Sequence, residues 1–125
     1  MYSVTVTRDF VAQHWLTVPD PGPEGAVHSH HFEAEVHLEG EELNEYGYLV
    51  DIDDVDAALD RLEDRYRDAT LNDLPEFRGH NPSVEHFSRS FAERFLDHVD
   101  ASTLDRIEVT VWEDDTAAAS YAATV

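Results

Sequence analysis

The sequence predicts an α+β domain in which four antiparallel strands carry two helices on one face, in the order ββααββ. Three observations lead there. Apolar and polar residues alternate near the start and again near the end of the chain. The middle carries apolar residues at helical spacing. The 125 residues suffice for one core but not for two, so residues 1–125 read as a single domain.

The first strand runs from Tyr2 to Phe10, with Tyr2, Val4 and Val6 alternating against Ser3, Thr5 and Thr7. Residues Thr17 to Val27 contain Pro19, Pro21, Pro23, Gly22 and Gly25 and form a loop. The second strand, His30 to Gly40, places His30, Phe32, Ala34, Val36 and Leu38 on one face. His31, Glu33, Glu35, His37 and Glu39 occupy the other, as expected of an antiparallel sheet with one wet face.

Gly47-Tyr48-Leu49-Val50 leads into the first helix. Asp51 is its N-cap, Asp53 and Asp54 favour the dipole, and Ile52, Val55, Leu59, Leu62 and Tyr66 form the apolar stripe. The second helix starts at Asn81-Pro82, a cap followed by proline, with Val84, Phe87, Phe91, Phe95 and Leu96 as its stripe. Two strands close the chain, Arg106 to Trp112 and Thr116 to Tyr121 or beyond, with Asp114-Asp115 turning between them. Such a sheet keeps two edges, which invites pairing between subunits.

Charge sets the setting. Twenty-eight acidic residues against eight arginines and no lysine give a net charge of −20. That repulsion is costly in dilute buffer but is screened in concentrated salt, so a halophilic cytoplasm is expected. Without a basic stripe, binding to a nucleic-acid backbone is disfavoured. No apolar run is long enough to cross a bilayer, so no membrane partner is expected. Met1-Tyr2-Ser3-Val4 has no basic segment and reads as no signal peptide. Cysteine is absent, so disulfides and a thiol nucleophile are excluded, and a metal must be held by nitrogen and oxygen.

His28-Ser29-His30 supplies that nitrogen. Residues two apart on a strand share a face, so both imidazoles can aim at one point, and His14 follows an earlier strand-like segment. Three neutral imidazoles with an open fourth position suit a catalytic Zn²⁺, although such a pair also arises by chance and would accept iron, nickel or copper. His31 points to the opposite face and should not be a ligand.

At these residues the chain resembles a known family. Phe10-x-Ala12-x-His14, His28-Ser29-His30-His31-Phe32, Gly47-Tyr48-Leu49-Val50-Asp51, Leu71-Asn72-Asp73, Asn81-Pro82-Ser83-Val84-Glu85 and the late Glu113 are similar to the 6-pyruvoyl-tetrahydropterin synthase family, which includes 6-carboxytetrahydropterin synthase. The resemblance implies a T-fold whose subunits associate into barrels, as a trimer or hexamer, with active sites at subunit interfaces. It implies zinc on His14, His28 and His30 and a pterin anchor at Glu113, whose carboxylate can accept two parallel N–H bonds from the ring. The plain reading of Glu113 is one more acid among twenty-eight, but its position in a Val-rich strand just after Trp112 favours the anchor. Ser83 stands where the family has a threonine near the pterin, and reads also as an ordinary first-turn residue. Glu85 matches a glutamate at the helix start, where stabilising that terminus is its simpler role.

Two departures bear on chemistry. The family's catalytic cysteine position, four residues before the His-x-His, holds Glu24. Glu24 reads either as a general base or as part of a plain acidic loop. A branch of the family uses glutamate near this place and cleaves the dihydroneopterin side chain to 6-hydroxymethyl-dihydropterin. The family's Asp-His pair falls on Arg67-Asp68, so its proton relay is missing; His80, in the loop before Asn81, could lend an imidazole or be simply solvated. The expected function is a zinc-dependent lyase acting on 7,8-dihydroneopterin triphosphate or a close relative. The 6-carboxytetrahydropterin synthase type, which feeds 7-deazaguanine modification of RNA, leads. The side-chain cleavage, and a non-catalytic pterin- or metal-binding paralogue, stand as alternatives.

Overall fold

A computed structural model describes residues 1–125. Four strands form one antiparallel sheet in the order β1-β2-β3-β4: β1 (Tyr2–His14), β2 (His28–Gly40), β3 (Arg106–Trp112) and β4 (Ala118–Thr124). Between β2 and β3 the chain crosses one face of the sheet as α1 (Ile52–Tyr66) and α2 (Val84–Leu96). The ββααββ order is therefore the one the alternation predicts.

The covered face is the apolar one. Phe10 and Ala12 of β1, Phe32, Ala34, Val36 and Leu38 of β2, and Ile107, Val109 and Val111 of β3 are all buried. Against them α1 packs Val55, Leu59, Leu62 and Tyr66, and α2 packs Phe87, Phe91 and Phe95. Phe87 is the pivot, with Phe32 and Tyr66 rings edge-on at 5.2 and 4.9 Å between centroids. Removing this much apolar surface from water is the main drive for the sheet and helices to associate.

Asp51 caps α1 as expected, its side chain accepting from the Asp53 N–H at 2.9 Å. Four boundaries differ from the sequence reading. β1 continues past Phe10 to His14, because residues 11–14 pair fully with His28–His31, and β2 accordingly begins at His28. The N-cap of α2 is Ser83, not Asn81; the Ser83 hydroxyl accepts from the His86 N–H at 3.1 Å, while the Asn81 side chain is used elsewhere. β4 starts at Ala118 rather than Thr116, because the Asp114 carboxylate accepts from the backbone of Thr116 and Ala117 and lengthens the turn.

Where α1 ends, Asp68 adopts a left-handed conformation (φ 60°), which aspartate tolerates better than most residues. The chain thereby folds back on β1. Asp68 N–H donates to Val11 C=O at 2.7 Å, Gln13 N–H donates to Ala69 C=O at 2.8 Å, and Thr70 bridges Gln13 in parallel. This lays residues 68–73 alongside the end of β1 that carries His14.

Candidate metal and substrate site

His14 closes β1 and His28 opens β2, and the two are direct cross-strand partners; His30 lies two residues further along the same face. The three ring centroids stand 4.6, 5.2 and 5.0 Å apart. Each ring has one nitrogen, Nε2, that is buried and has no hydrogen-bond partner. One nitrogen from each ring lies within 4.8 Å of the others. Buried polar atoms are nearly always paired, and three unpartnered nitrogens facing one point offer a shared set of acceptors for a cation.

The opposite nitrogens explain the orientation. His14 Nδ1 lies 2.8 Å from the Pro82 carbonyl, and His28 Nδ1 lies 2.8 Å from the Ala26 carbonyl. A carbonyl only accepts, so each Nδ1 carries the proton and each Nε2 presents a lone pair, as metal-ligating histidines require. Burial pushes the His14 pKa down, and the neighbouring His28 and His30 push the same way; the Pro82 bond and Glu24 offset this only in part. The imidazole is therefore held in its neutral, ligating form. Phe32 lies beneath, 5.9 Å from His14 and 5.4 Å from His30 between centroids, and seals the floor. The donor set fits a divalent ion that favours imidazole.

A groove of about 220 Å³ opens beside His14, bounded by Leu16, Glu24, Asn81, Ser83, Glu85 and Glu113. Glu85 and Glu113 also border a smaller hollow toward Ala117, which adjoins this groove. Glu113 follows β3 and is half-buried, and its backbone N–H bonds to Ala117 C=O at 3.1 Å. Glu24 sits in a short 3-10 turn (Gly22–Gly25) and is exposed, with its carbonyl accepting from Leu16 N–H at 2.9 Å. The structure thus gathers His14, Glu24, Ser83 and Glu113 around one opening.

His80 is different. It is exposed, does not line this groove, and faces the His86 ring at 5.3 Å. The His86 Nδ1 is 2.7 Å from the Asn81 carbonyl. Arg67, at the position of the family's relay, is tied to Glu63 within the α1 region. His31 points to the other sheet face and contacts Asp9 at 2.8 Å, as the alternation requires.

Two asparagines do work that their sequence context hides. Asn72 Oδ1 accepts from Trp15 N–H at 3.0 Å while its Nδ2 donates to Trp15 C=O at 2.9 Å. Asn81 Oδ1 accepts from Thr17 N–H at 2.9 Å. The segment just after His14 is therefore clamped from one side by two amides and joined on the other to the Glu24 turn. A carboxamide has the donor and acceptor of a peptide group and can replace a β-ladder partner. In the sequence Asn81 reads as a helix cap before proline, and Asn72 stands out only as part of Leu71-Asn72-Asp73.

The pattern of the family described as 6-pyruvoyl tetrahydropterin synthase matches residues 3–124. No curated protein matches the chain in sequence. Among solved structures, 6-pyruvoyl tetrahydropterin synthase from Caenorhabditis elegans is 22% identical, with a TM-score of 0.80 over 99% of this chain and 98% of that one. The Plasmodium vivax 6-pyruvoyltetrahydropterin synthase, in a variant whose catalytic glutamate is replaced by alanine, is 13% identical, with a TM-score of 0.80 over the same shares. An uncharacterized protein from Wolinella succinogenes is 17% identical, with a TM-score of 0.68 over 96% and 97%. At such identities these likenesses concern the fold: a four-stranded antiparallel sheet carrying two helices.

Proposed function

The chain belongs to the 6-pyruvoyl tetrahydropterin synthase family, and from that premise we propose that it is a zinc-dependent pterin enzyme acting on 7,8-dihydroneopterin triphosphate or a close relative. One observation carries this reading: three unpartnered Nε2 atoms converge beside a groove that also holds Glu24 and Glu113. His14, His28 and His30 would hold the ion. Bound there, a divalent metal supplies Lewis acidity toward the oxygens of the pterin side chain.

The remaining work falls to the chain's own carboxylates and hydroxyl. Glu113, fixed after β3, accepts two N–H bonds from the amidine edge of the pterin and so sets which end of the substrate faces the histidines. Ser83 keeps its hydroxyl proton while accepting the His86 N–H, so it can donate to the ring as well as cap α2. Glu24 reaches the same opening and takes a proton from the side chain as general base. His80, outside the groove of its own subunit, would act on a site it reaches through subunit association. The sheet edges left unpaired, β4 and the part of β1 before Val11, support a homo-oligomer, a trimer or a hexamer.

The first product to seek is 6-carboxytetrahydropterin. Side-chain cleavage to 6-hydroxymethyl-dihydropterin is the second reading, favoured by the presence of Glu24 in the groove where the family's cysteine is missing. Metal-loaded protein is incubated in molar salt with 7,8-dihydroneopterin triphosphate and the products are followed by mass spectrometry. Stoichiometric binding without turnover would mean a non-catalytic pterin-binding paralogue. In an active preparation, Glu24→Gln is expected to abolish turnover while leaving zinc content unchanged, and full turnover by His80→Ala removes His80 from the mechanism.

A further inference from the structure

Glu113 is the candidate anchor of the substrate ring, yet it stands one residue beyond the last pair of the β3–β4 hairpin, Trp112 with Ala118. It borders both the groove beside His14 and a wider depression that reaches His30. At that place the strand ladder no longer directs a side chain; the turn does. Two parallel N–H bonds demand a fixed carboxylate, because an error in aim of about 0.5 Å is enough to lose one of them.

The turn is built around a different carboxylate. One oxygen of Asp114 accepts from the Thr116 N–H at 2.7 Å, from the Thr116 hydroxyl at 2.8 Å and from the Ala117 N–H at 3.0 Å. The Ala117 C=O in turn accepts from the Glu113 N–H at 3.1 Å. The backbone of Glu113 is thus closed into a ring of bonds that passes through the Asp114 side chain. The bonds from Thr116 and Ala117 hold the Asp114 carboxyl below its ordinary range, so it stays ionised and accepting at neutral pH. Asp115, the next residue, is exposed and enters none of these bonds.

We propose that Asp114 is the positioning residue of the pterin anchor: by pinning residues 113–117 it sets the aim of the Glu113 carboxylate at the ring edge. This rests on the pterin reading above. What matters is where the accepting oxygen of Asp114 lies, not the charge it carries. With the turn released, Glu113 and the three histidines would all remain, but the carboxylate would swing and its paired contact would fall to one bond. All of the bonds involved join residues of one turn in one chain, and none waits on a second copy.

Neopterin, which carries the same ring edge, is titrated by its fluorescence against the metal-loaded, full-length protein and three variants in molar KCl. Asp114→Glu keeps the charge but displaces the oxygen, and should weaken binding about tenfold, the worth of one charge-assisted bond. Asp114→Asn discards the charge but keeps the oxygen, and should bind close to the unaltered protein. Asp115→Asn, which removes a neighbouring charge, should change nothing, and zinc content should be the same in all four. The corresponding lumazine, with an oxygen in place of the 2-amino group, cannot make the paired contact, so Asp114→Glu should bind it as the unaltered protein does. Full neopterin affinity in Asp114→Glu, or losses that follow charge rather than oxygen position, overturn the inference and leave the pterin reading intact. An equal loss of lumazine binding in Asp114→Glu overturns it too, as the sign of a general distortion. Failure of the unaltered protein to bind neopterin overturns both.

Discussion

Replacing Glu76 by glutamine removes the one carboxylate on which Arg65, Tyr66 and Arg94 converge. Arg65 contacts it twice, at 2.8 and 2.6 Å, the Tyr66 hydroxyl donates at 2.8 Å, and Arg94 approaches to 2.6 Å. The Glu76 side chain is only 11% exposed. Burial alone would raise its pKa, but the bonds from Arg65, the backbone and Tyr66 outweigh it and hold the pKa at about 2, against an ordinary 4.5. At about 1.4 kcal/mol per unit, the ionised carboxylate contributes about 3 kcal/mol to folding at neutral pH. A group with a depressed folded pKa binds more protons when unfolded. Its contribution is therefore complete above pH 4.5 and is lost as pH falls toward 2. Glu76→Gln keeps shape and some hydrogen bonding, so we expect a loss of about 2–3 kcal/mol at pH 7 that narrows steadily below pH 5. Urea unfolding of both proteins in molar KCl at a series of pH values measures the difference, in which the other acids cancel. A deficit that stays constant from pH 7 to pH 3, or grows on acidification, refutes the assignment.

Three further outcomes follow from the geometry. Asn72→Ala removes both amide bonds to Trp15 and should cost about 1–3 kcal/mol; zinc affinity should fall as well, because His14 precedes the loosened segment, and isothermal titration reads this. Phe87→Ala opens a hole between Phe32, Tyr66 and Phe91 and should cost about 3–5 kcal/mol in chemical denaturation. His28→Ala should lower zinc content measured by mass spectrometry, whereas His31→Ala, on the far sheet face beside Asp9, should not; equal loss in both would refute the face assignment.

What could be read from the sequence divides along a physical line. The alternation of Phe32, Ala34, Val36 and Leu38 and the stripe from Val55 to Tyr66 specify buried faces, because a one-residue slip would expose them. The same rule gave His28 and His30 a common direction and set His31 apart. The end of β1 escaped because Gln13 and His14 look polar; their place in the strand becomes sensible only once Gln13 pairs with Ala69 and Thr70 and the buried His14 reaches the Pro82 carbonyl. Asn81 looked like a cap for the same reason. An asparagine before proline is a good local candidate, and only the tertiary fold shows its amide engaged with Thr17.

The same division runs through the site itself. A cluster of donors must aim at one point, and a strand face defines that aim locally, so the common direction of His28 and His30 was legible; that His14 sits directly across from His28 emerges only from the pairing of residues 11–14. Proton transfer depends on which loops close over the substrate. Glu24 arrives through a proline-rich loop held by a single backbone bond to Leu16, whereas His80, in the loop before Asn81, turns toward His86 instead. No periodicity distinguishes those two residues. What separates them is the clamp of Asn72 and Asn81 on residues 15–17, which fixes the strip of chain to which the Glu24 turn is tied. The clamp therefore links two candidate roles that appear separate in the sequence: the residues that follow the candidate ligand His14 also tie down the turn of the candidate base. Loosening the clamp should disturb both together, whereas altering Glu24 alone should leave the histidine cluster as it is.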